Sequence, residues 1–141
     1  MKLFLAIFSV TIVFAVQLAW SDDVEIQAGR SSDGQKTIVV KEGADLHILC
    51  ETSATDASIE WFMNEFTKLE SGERVAMTEH SETVNGQVES LHTLIILNSS
   101  STMDIAIYEC RLRSRSASDE VDVKIVRHES IQYLNSLQCS Q

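Results

Sequence analysis

The stretch Asp104–Cys110, with the sequence DIAIYEC, constrains the fold of this chain more than any other. In an extended strand, successive side chains point to opposite faces of the sheet. The pattern therefore predicts a strand that presents Ala106, Tyr108 and Cys110 on one face. We expect a partner cysteine on a facing strand, and Cys50 is the only upstream candidate.

A second spacing surrounds this stretch. Trp61 follows Cys50 by eleven residues, and Tyr108 precedes Cys110 by two. This order resembles the immunoglobulin superfamily, and the distance between the two cysteines is most similar to that of intermediate-set domains. The resemblance implies an all-β fold, an immunoglobulin-like antiparallel sandwich of seven or eight strands with one inter-sheet disulfide, Cys50–Cys110. It also places Trp61 in the core against that disulfide.

Two further roles come from the resemblance alone. Tyr108 is similar to the tyrosine-corner residue, whose ring lies in the core while its hydroxyl bonds to upstream backbone. Asp104 resembles the family aspartate that pairs with an arginine on a neighbouring strand, and Arg74 is the expected partner. Both roles are structural.

The first residues predict a signal peptide at residues 1–21. Lys2 supplies a positive start, an apolar run follows from Leu3 to Leu18, and Ala19-Trp20-Ser21 has small residues where a signal peptidase reads. An uncleaved signal anchor is the alternative, but the run is shorter than the ~20 apolar residues that a membrane span needs. We expect an immunoglobulin-like domain at residues 22–128, a C-terminal tail at 129–141, and a protein secreted to the extracellular space without membrane insertion.

The formal net charge of the 141-residue chain is −10, and loss of Lys2 with the signal peptide makes it more negative. Such a surface repels phosphate backbones and anionic headgroups, so nucleic acid and membrane surfaces are not expected partners. Simple solubility is the plainest role of this charge.

The middle of the chain carries a hairpin signal. Asn85-Gly86 suits a two-residue turn in which both central residues have positive φ. It predicts a following strand from Gln87 through Leu97, with Thr93, Ile95 and Leu97 facing the core and Leu94 and Ile96 facing out. Further upstream, the Gly, Ser and Asp residues between Gly29 and Lys36 predict a loop.

Two residues are candidates for modification. Asn98-Ser99-Ser100 is the one N-x-S/T sequon, and a surface loop of a secreted protein permits glycosylation there. Cys139 is the odd cysteine. It could form an intermolecular disulfide and a homodimer, or lie in a disordered tail with its thiol capped by a small molecule.

The sequence contains no motif that is typical of an enzyme active site. The four histidines are isolated, without the spacing of a zinc site, and no glycine-rich phosphate loop or nucleophile motif is present. We therefore predict no catalytic residues, no metal and no cofactor.

Outward side chains of the sheet that carries Trp61 are the candidate interface, because aromatic and arginine side chains are favoured anchors. What the family resemblance implies is an extracellular recognition module, with an extracellular or cell-surface protein as partner, in cell adhesion, synapse organisation or maintenance of axon position. The alternative is a soluble immune-recognition or decoy molecule. The interface residues are Phe62, Ile107, Arg111, Arg113, Asp122 and Lys124.

Overall fold

Ten β-strands and no helix make up the part of the chain that the computed structural model describes, residues 24–54, 58–113 and 117–127. The predicted signal peptide and the whole predicted tail, including Cys139, lie outside these residues. Two of the strands are only two residues long, and the other eight agree with the predicted seven or eight strands. In chain order the strands are β1 (Val24–Ile26), β2 (Gly29–Arg30), β3 (Lys36–Lys41), β4 (Leu46–Thr52), β5 (Ile59–Met63), β6 (Thr67–Lys68), β7 (Val75–Val84), β8 (Gln87–Ile96), β9 (Ala106–Leu112) and β10 (Ser118–Val126).

The strands form two sheets. The four-stranded sheet has the order β1-β4-β8-β7, and the six-stranded sheet has the order β2-β3-β10-β9-β5-β6. Neighbouring strands are antiparallel except β3 and β10, which run parallel. The chain crosses from the first sheet to the second between β1 and β2. The all-β sandwich that the sequence predicts is therefore confirmed.

The core lies between the two sheets and follows the alternation of the strands. In β9 every second residue from Ala106 is buried, and the residues between them are half-buried on the other face. Trp61 is 2 % exposed while its neighbour Phe62 faces outward, as the sequence predicts. The buried apolar cluster consists of Ile26, Leu46, Ile48, Cys50, Trp61, Leu94, Ile96, Ala106, Tyr108, Cys110, Val121, Val123 and Ile125.

The hairpin prediction is confirmed at its turn. Asn85 and Gly86 have φ values of 51° and 79°, and they join β7 to β8. Asparagine and glycine tolerate this left-handed conformation better than other residues do. The result is a hairpin of two ten-residue strands.

The predicted facing of β8 is wrong. Leu94 and Ile96 are buried, whereas Thr93 and Ile95 face outward and Leu97 is 40 % exposed. Because residues 94–97 are all apolar, their sequence carries no alternation that could distinguish the two faces. Pairing with β4 decides the matter, since Leu94 lies opposite the buried Ile48.

The predicted loop between Gly29 and Lys36 is also partly wrong. Gly29 and Arg30 form β2, which pairs with the first two residues of β3. Lys36 is buried and forms an ion pair with Asp119, whose Oδ2 also accepts a hydrogen bond from Ile26 N at 2.7 Å. This carboxylate thus ties β1 of one sheet to β3 and β10 of the other.

Candidate functional site

The outward side of the six-stranded sheet, here called the outer face, carries the predicted interface residues. Strand register places Phe62 opposite Glu109, and Ile107 opposite Asp122. Residues directly opposite in an antiparallel pair have Cβ atoms about 4.5–5.5 Å apart. The topology therefore brings side chains from β5, β9 and β10 onto one continuous surface.

Phe62, Glu109 and Arg111 form a cluster at the centre of the outer face. The Arg111 Cζ lies 4.0 Å from the centroid of the Phe62 ring. The same guanidinium donates from Nη2 to Glu109 Oε2 at 2.8 Å and from Nε to Oε1 at 3.0 Å. A two-pronged ion pair fixes the arginine plane over the ring, so the cluster is ordered before any partner arrives.

Electrostatics reinforce this cluster. The hydrogen bond from Arg111 holds the pKa of Glu109 below its ordinary value, and the same bond raises the pKa of Arg111. Both groups are therefore charged at neutral pH. Because their charges neutralise each other, the cluster presents a large planar surface with little net charge.

Glu60 organises the neighbouring part of the outer face. Its Oε1 accepts from Lys68 Nζ at 2.6 Å and lies 3.1 Å from Arg113 Nη2. These contacts hold the pKa of Glu60 below its ordinary value, with the Lys68 hydrogen bond as the largest cause and the Arg113 bond next. Arg113 is thus directed toward Glu60, and a shared carboxylate joins β5, β6 and the end of β9.

The β10 side of the outer face is looser. Lys124 Nζ lies 3.7 Å from Asp122 Oδ2, and Lys124 is exposed while Ile107 is half-buried. Val39 of β3 lies opposite Lys124 and is 60 % exposed, which extends the face by one more strand. Val39 was not among the interface residues predicted from the sequence. Its sequence signal is an apolar residue at an outward position of β3, a strand in which inward and outward side chains otherwise alternate between apolar and polar from Thr37 to Lys41.

Phe66 is a second residue that the sequence reasoning missed. It is 86 % exposed in the turn between β5 and β6, where Asn64 and Glu65 adopt positive φ. Asn64 N donates to Ile107 O at 2.8 Å, and Ile107 N donates to Asn64 Oδ1 at 3.1 Å. These two bonds clip the turn to β9 and hold Phe66 at the edge of the outer face. Its only sequence signal is a lone aromatic within a polar segment.

The residues assigned structural roles lie at the base of β9. Tyr108 Oη donates to Asp104 O at 3.0 Å, and Arg74 Nη2 lies 2.6 Å from Asp104 Oδ2. The same Oδ2 accepts a hydrogen bond from Ser100 N at 2.7 Å. Burial is the main cause that raises the pKa of Tyr108, so its hydroxyl stays protonated and able to donate. These contacts anchor the loop before β9.

Asn98 lies on the surface in that loop, with a φ of 50°. Its backbone N donates to Asp45 Oδ1 at 3.0 Å, and its carbonyl accepts from Arg74 Nη2 at 3.1 Å. The backbone is therefore held by two partners while the side chain is exposed. Glycosylation at Asn98 stays a prediction.

Between residues 24 and 127, excluding 55–57 and 114–116, no three His, Cys, Asp or Glu side chains converge to hold a metal ion. Within the same ranges, no helix has the length and apolar character that a membrane crossing requires.

Cys50 and Cys110 are joined by a disulfide that links the two sheets, with a Cα–Cα distance of 6.4 Å, and Trp61 lies opposite Cys110 in the register of β5 and β9. The disulfide, the position of Trp61, the order of the strands in the two sheets and the hydrogen bond from Tyr108 to Asp104 together define the class of the domain. The chain folds as an immunoglobulin-like β-sandwich domain.

Several solved structures are similar to this chain. The titin immunoglobulin tandem A164-A165 matches with a TM-score of 0.53 and 13% identity over 72% of this chain and 49% of that one. The BTLA ectodomain has a TM-score of 0.49 and 16% identity over 75% of this chain and 99% of that one. The immunoglobulin-like domain of human obscurin-like protein 1 has a TM-score of 0.45 and 18% identity over 79% and 93%.

The titin likeness shows the fold of this chain. The chain spans about half the length of that tandem structure. No family model matches the sequence, and no curated protein sequence matches it.

Proposed function

We propose that this protein is a secreted, non-enzymatic recognition domain that binds an extracellular or cell-surface protein through its outer face. The observation that carries the proposal is the ordered cluster of Phe62, Arg111 and Glu109. A few residues carry most of the binding energy at a protein interface, and aromatic and arginine side chains are enriched among the residues found there. Here they are held in place beforehand, which lowers the entropy lost on association.

The distribution of charge supports the outer face over the opposite sheet. The strands of the four-stranded sheet contain five glutamates and no lysine or arginine. Two of these strands place Glu82 directly opposite Glu89, and β1 and β4 place Glu25 opposite Glu51. Like charges opposite each other repel, and the outer face instead carries charges in neutralised pairs. Binding of a partner to the outer face therefore costs less desolvation of unpaired charges than binding to the four-stranded sheet.

The disulfide and the apolar start of the chain support an extracellular location. Disulfides persist in oxidising compartments, and the run from Leu3 to Leu18 has the character of a signal peptide. Within that location we propose a role in cell adhesion, synapse organisation or maintenance of axon position. Expression confined to neurons or muscle supports this role, whereas induction by infection supports a soluble immune-recognition or decoy molecule.

Proximity labelling on cell surfaces with the secreted protein identifies the partner, and patch variants then test the face. We expect Phe62→Ala with Arg111→Glu to weaken partner binding about thirtyfold or more, since one lost hot spot costs about 2 kcal/mol. The control is Leu91→Ala with Glu89→Arg, which also truncates one apolar side chain and reverses one charge, but on the outward side of the four-stranded sheet. Unchanged binding by the first variant, with loss in the control, overturns the proposal.

A further inference from the structure

A cleft of about 190 Å³ opens between the two sheets at the edge where β5 faces β7. Its walls come from the first half of β5, the middle of β7 and one residue of β8. Drug-sized ligands occupy sites of about 300–1,000 Å³, and a single water needs far less than this cleft offers. The volume suits one side chain. The lining residues are Ser58, Ile59, Trp61, Met77, Thr78, Glu79 and His92.

His92 lies at the inner end of this cleft and is 6 % exposed. Its Nε2 is buried and has no hydrogen-bond partner among the residues that the structure describes. A buried polar atom without a hydrogen-bond partner destabilises the domain, so a group that bonds to it gains affinity. Burial lowers the pKa of His92, so the ring is neutral at pH 7. In the tautomer that carries its proton on Nδ1, Nε2 accepts a hydrogen bond.

Glu79 lies at the mouth of the cleft, directly opposite His92 in the register of β7 and β8. It is exposed, and no lysine or arginine of the described ranges lies within ion-pair distance of its carboxylate. Ile59, Trp61 and Met77 form apolar walls between the two polar groups. An anionic mouth, an apolar wall and an inner acceptor together match a lysine or arginine side chain, whose stem is apolar and whose head donates hydrogen bonds.

Among the residues that the structure describes, no strand pairs with the edge of β7 beside the cleft. β7 is the last strand of the four-stranded sheet, and its register with β8 runs without a bulge from Val75 to Val84. The strand contains neither proline nor lysine, the residues that commonly protect such an edge. Its free N–H and C=O groups can therefore pair with an extended segment of another protein.

From these observations we infer that β7 and the adjoining cleft form a second binding site, for an extended partner segment that carries a lysine or arginine. The segment adds to the edge of β7, and its alternate side chains point toward the gap between the sheets, as those of Met77 and Glu79 do. Its cationic side chain enters the cleft, pairs with Glu79 and donates to His92 Nε2. This site shares no residue with the outer face, so its test is independent of the proposed function.

The test titrates the secreted protein, labelled with ¹⁵N, with the acetylated and amidated heptapeptide Thr-Val-Thr-Lys-Thr-Val-Thr. We expect chemical-shift changes in the amides of β7, the Trp61 indole and the His92 imidazole, with a dissociation constant in the millimolar range or tighter. A peptide with norleucine in place of lysine keeps the stem and removes the ammonium group. We expect it to bind about tenfold more weakly, as we do for the lysine peptide with Glu79→Gln.

Glu82→Gln is the matched control, because Glu82 lies on the same strand and on its opposite face. It should leave binding unchanged, and thermal melts of both variants should match the parent. Equal losses with Glu79→Gln and Glu82→Gln overturn the inference in favour of general attraction to an acidic sheet. Absence of shifts at millimolar peptide also overturns it, as does concentration-dependent self-pairing of β7 without peptide.

Discussion

Removal of the Asp104 carboxylate should destabilise the domain more than any other single change in the loop before β9. Asp104 is 5 % exposed, and its Oδ2 accepts from Arg74 Nη2 at 2.6 Å and from Ser100 N at 2.7 Å. A hydrogen bond to a charged group contributes about 1.5–3 kcal/mol. The Arg74 side chain is 38 % exposed, so its bond is screened and contributes about 0.5–1 kcal/mol.

From these contributions, Asp104→Ala should lower the free energy of unfolding by about 3 kcal/mol. Asp104→Asn keeps an oxygen for Ser100 N and loses only the charge, so we expect about 1 kcal/mol. Tyr108→Phe is the matched comparison, because it removes the neighbouring hydroxyl that donates to Asp104 O, at a cost of about 1 kcal/mol.

Urea denaturation with the disulfide intact measures these differences from the transition midpoint and slope. A double-mutant cycle that combines Asp104→Asn with Arg74→Met isolates the ion pair and should return a coupling energy of about 0.5–1 kcal/mol. A loss below 1 kcal/mol for Asp104→Ala would refute the reasoning, because the half-buried Ser100 N–H would then have found another acceptor. A zero coupling energy would refute the contribution of the ion pair.

Four further predictions concern other parts of the chain. Burial lowers the pKa of His92, so the unfolded chain binds a proton below about pH 6.5 that the folded chain does not, and stability should fall as the pH drops below about 6.5; urea midpoints should show this slope in the parent and lose most of it in His92→Gln. Asp119→Ala leaves the buried Lys36 with only the more distant Glu25, at 3.7 Å, and should lower the unfolding free energy by about 3 kcal/mol in the same assay. If Cys139 forms an intermolecular disulfide, non-reducing electrophoresis of the secreted protein shows a dimer that Cys139→Ser abolishes; migration at monomer size excludes it. Glycosidase treatment should reduce the mass of the secreted protein, and Asn98→Gln should remove that shift; an unchanged mass in the parent rules out glycosylation.

The fold and the facing of β5 and β9 were accessible from the sequence because their signals are local or have a fixed spacing. The alternation in β9 separates a buried set from an outward set within seven residues. Asn85-Gly86 predicts its turn because few other pairs tolerate positive φ at both positions. The outward position of Phe62 follows from the inward position of Trp61, since adjacent side chains of a strand cannot share a face.

Other features depend on partners that are distant in sequence. The Lys36–Asp119 pair joins residues separated by 83 positions, and no local pattern shows that the lysine is buried. The facing of β8 is decided by its pairing with β4, because four consecutive apolar residues fit either face equally well. The exposure of Phe66 depends on two hydrogen bonds between its turn and β9.

By itself, the sequence determined the class of this protein. A cysteine, a tryptophan, a tyrosine and a second cysteine at these spacings fit a sandwich with one disulfide, because each requires an inward position on a particular strand. Only the tertiary structure decided which polar groups meet. Arg111 lies over Phe62, and His92 faces a cleft beside the free edge of β7, because the two sheets bring together side chains that the chain itself holds far apart. Binding of a partner depends on which side chains are close in space, since contact energies fall off within a few ångströms.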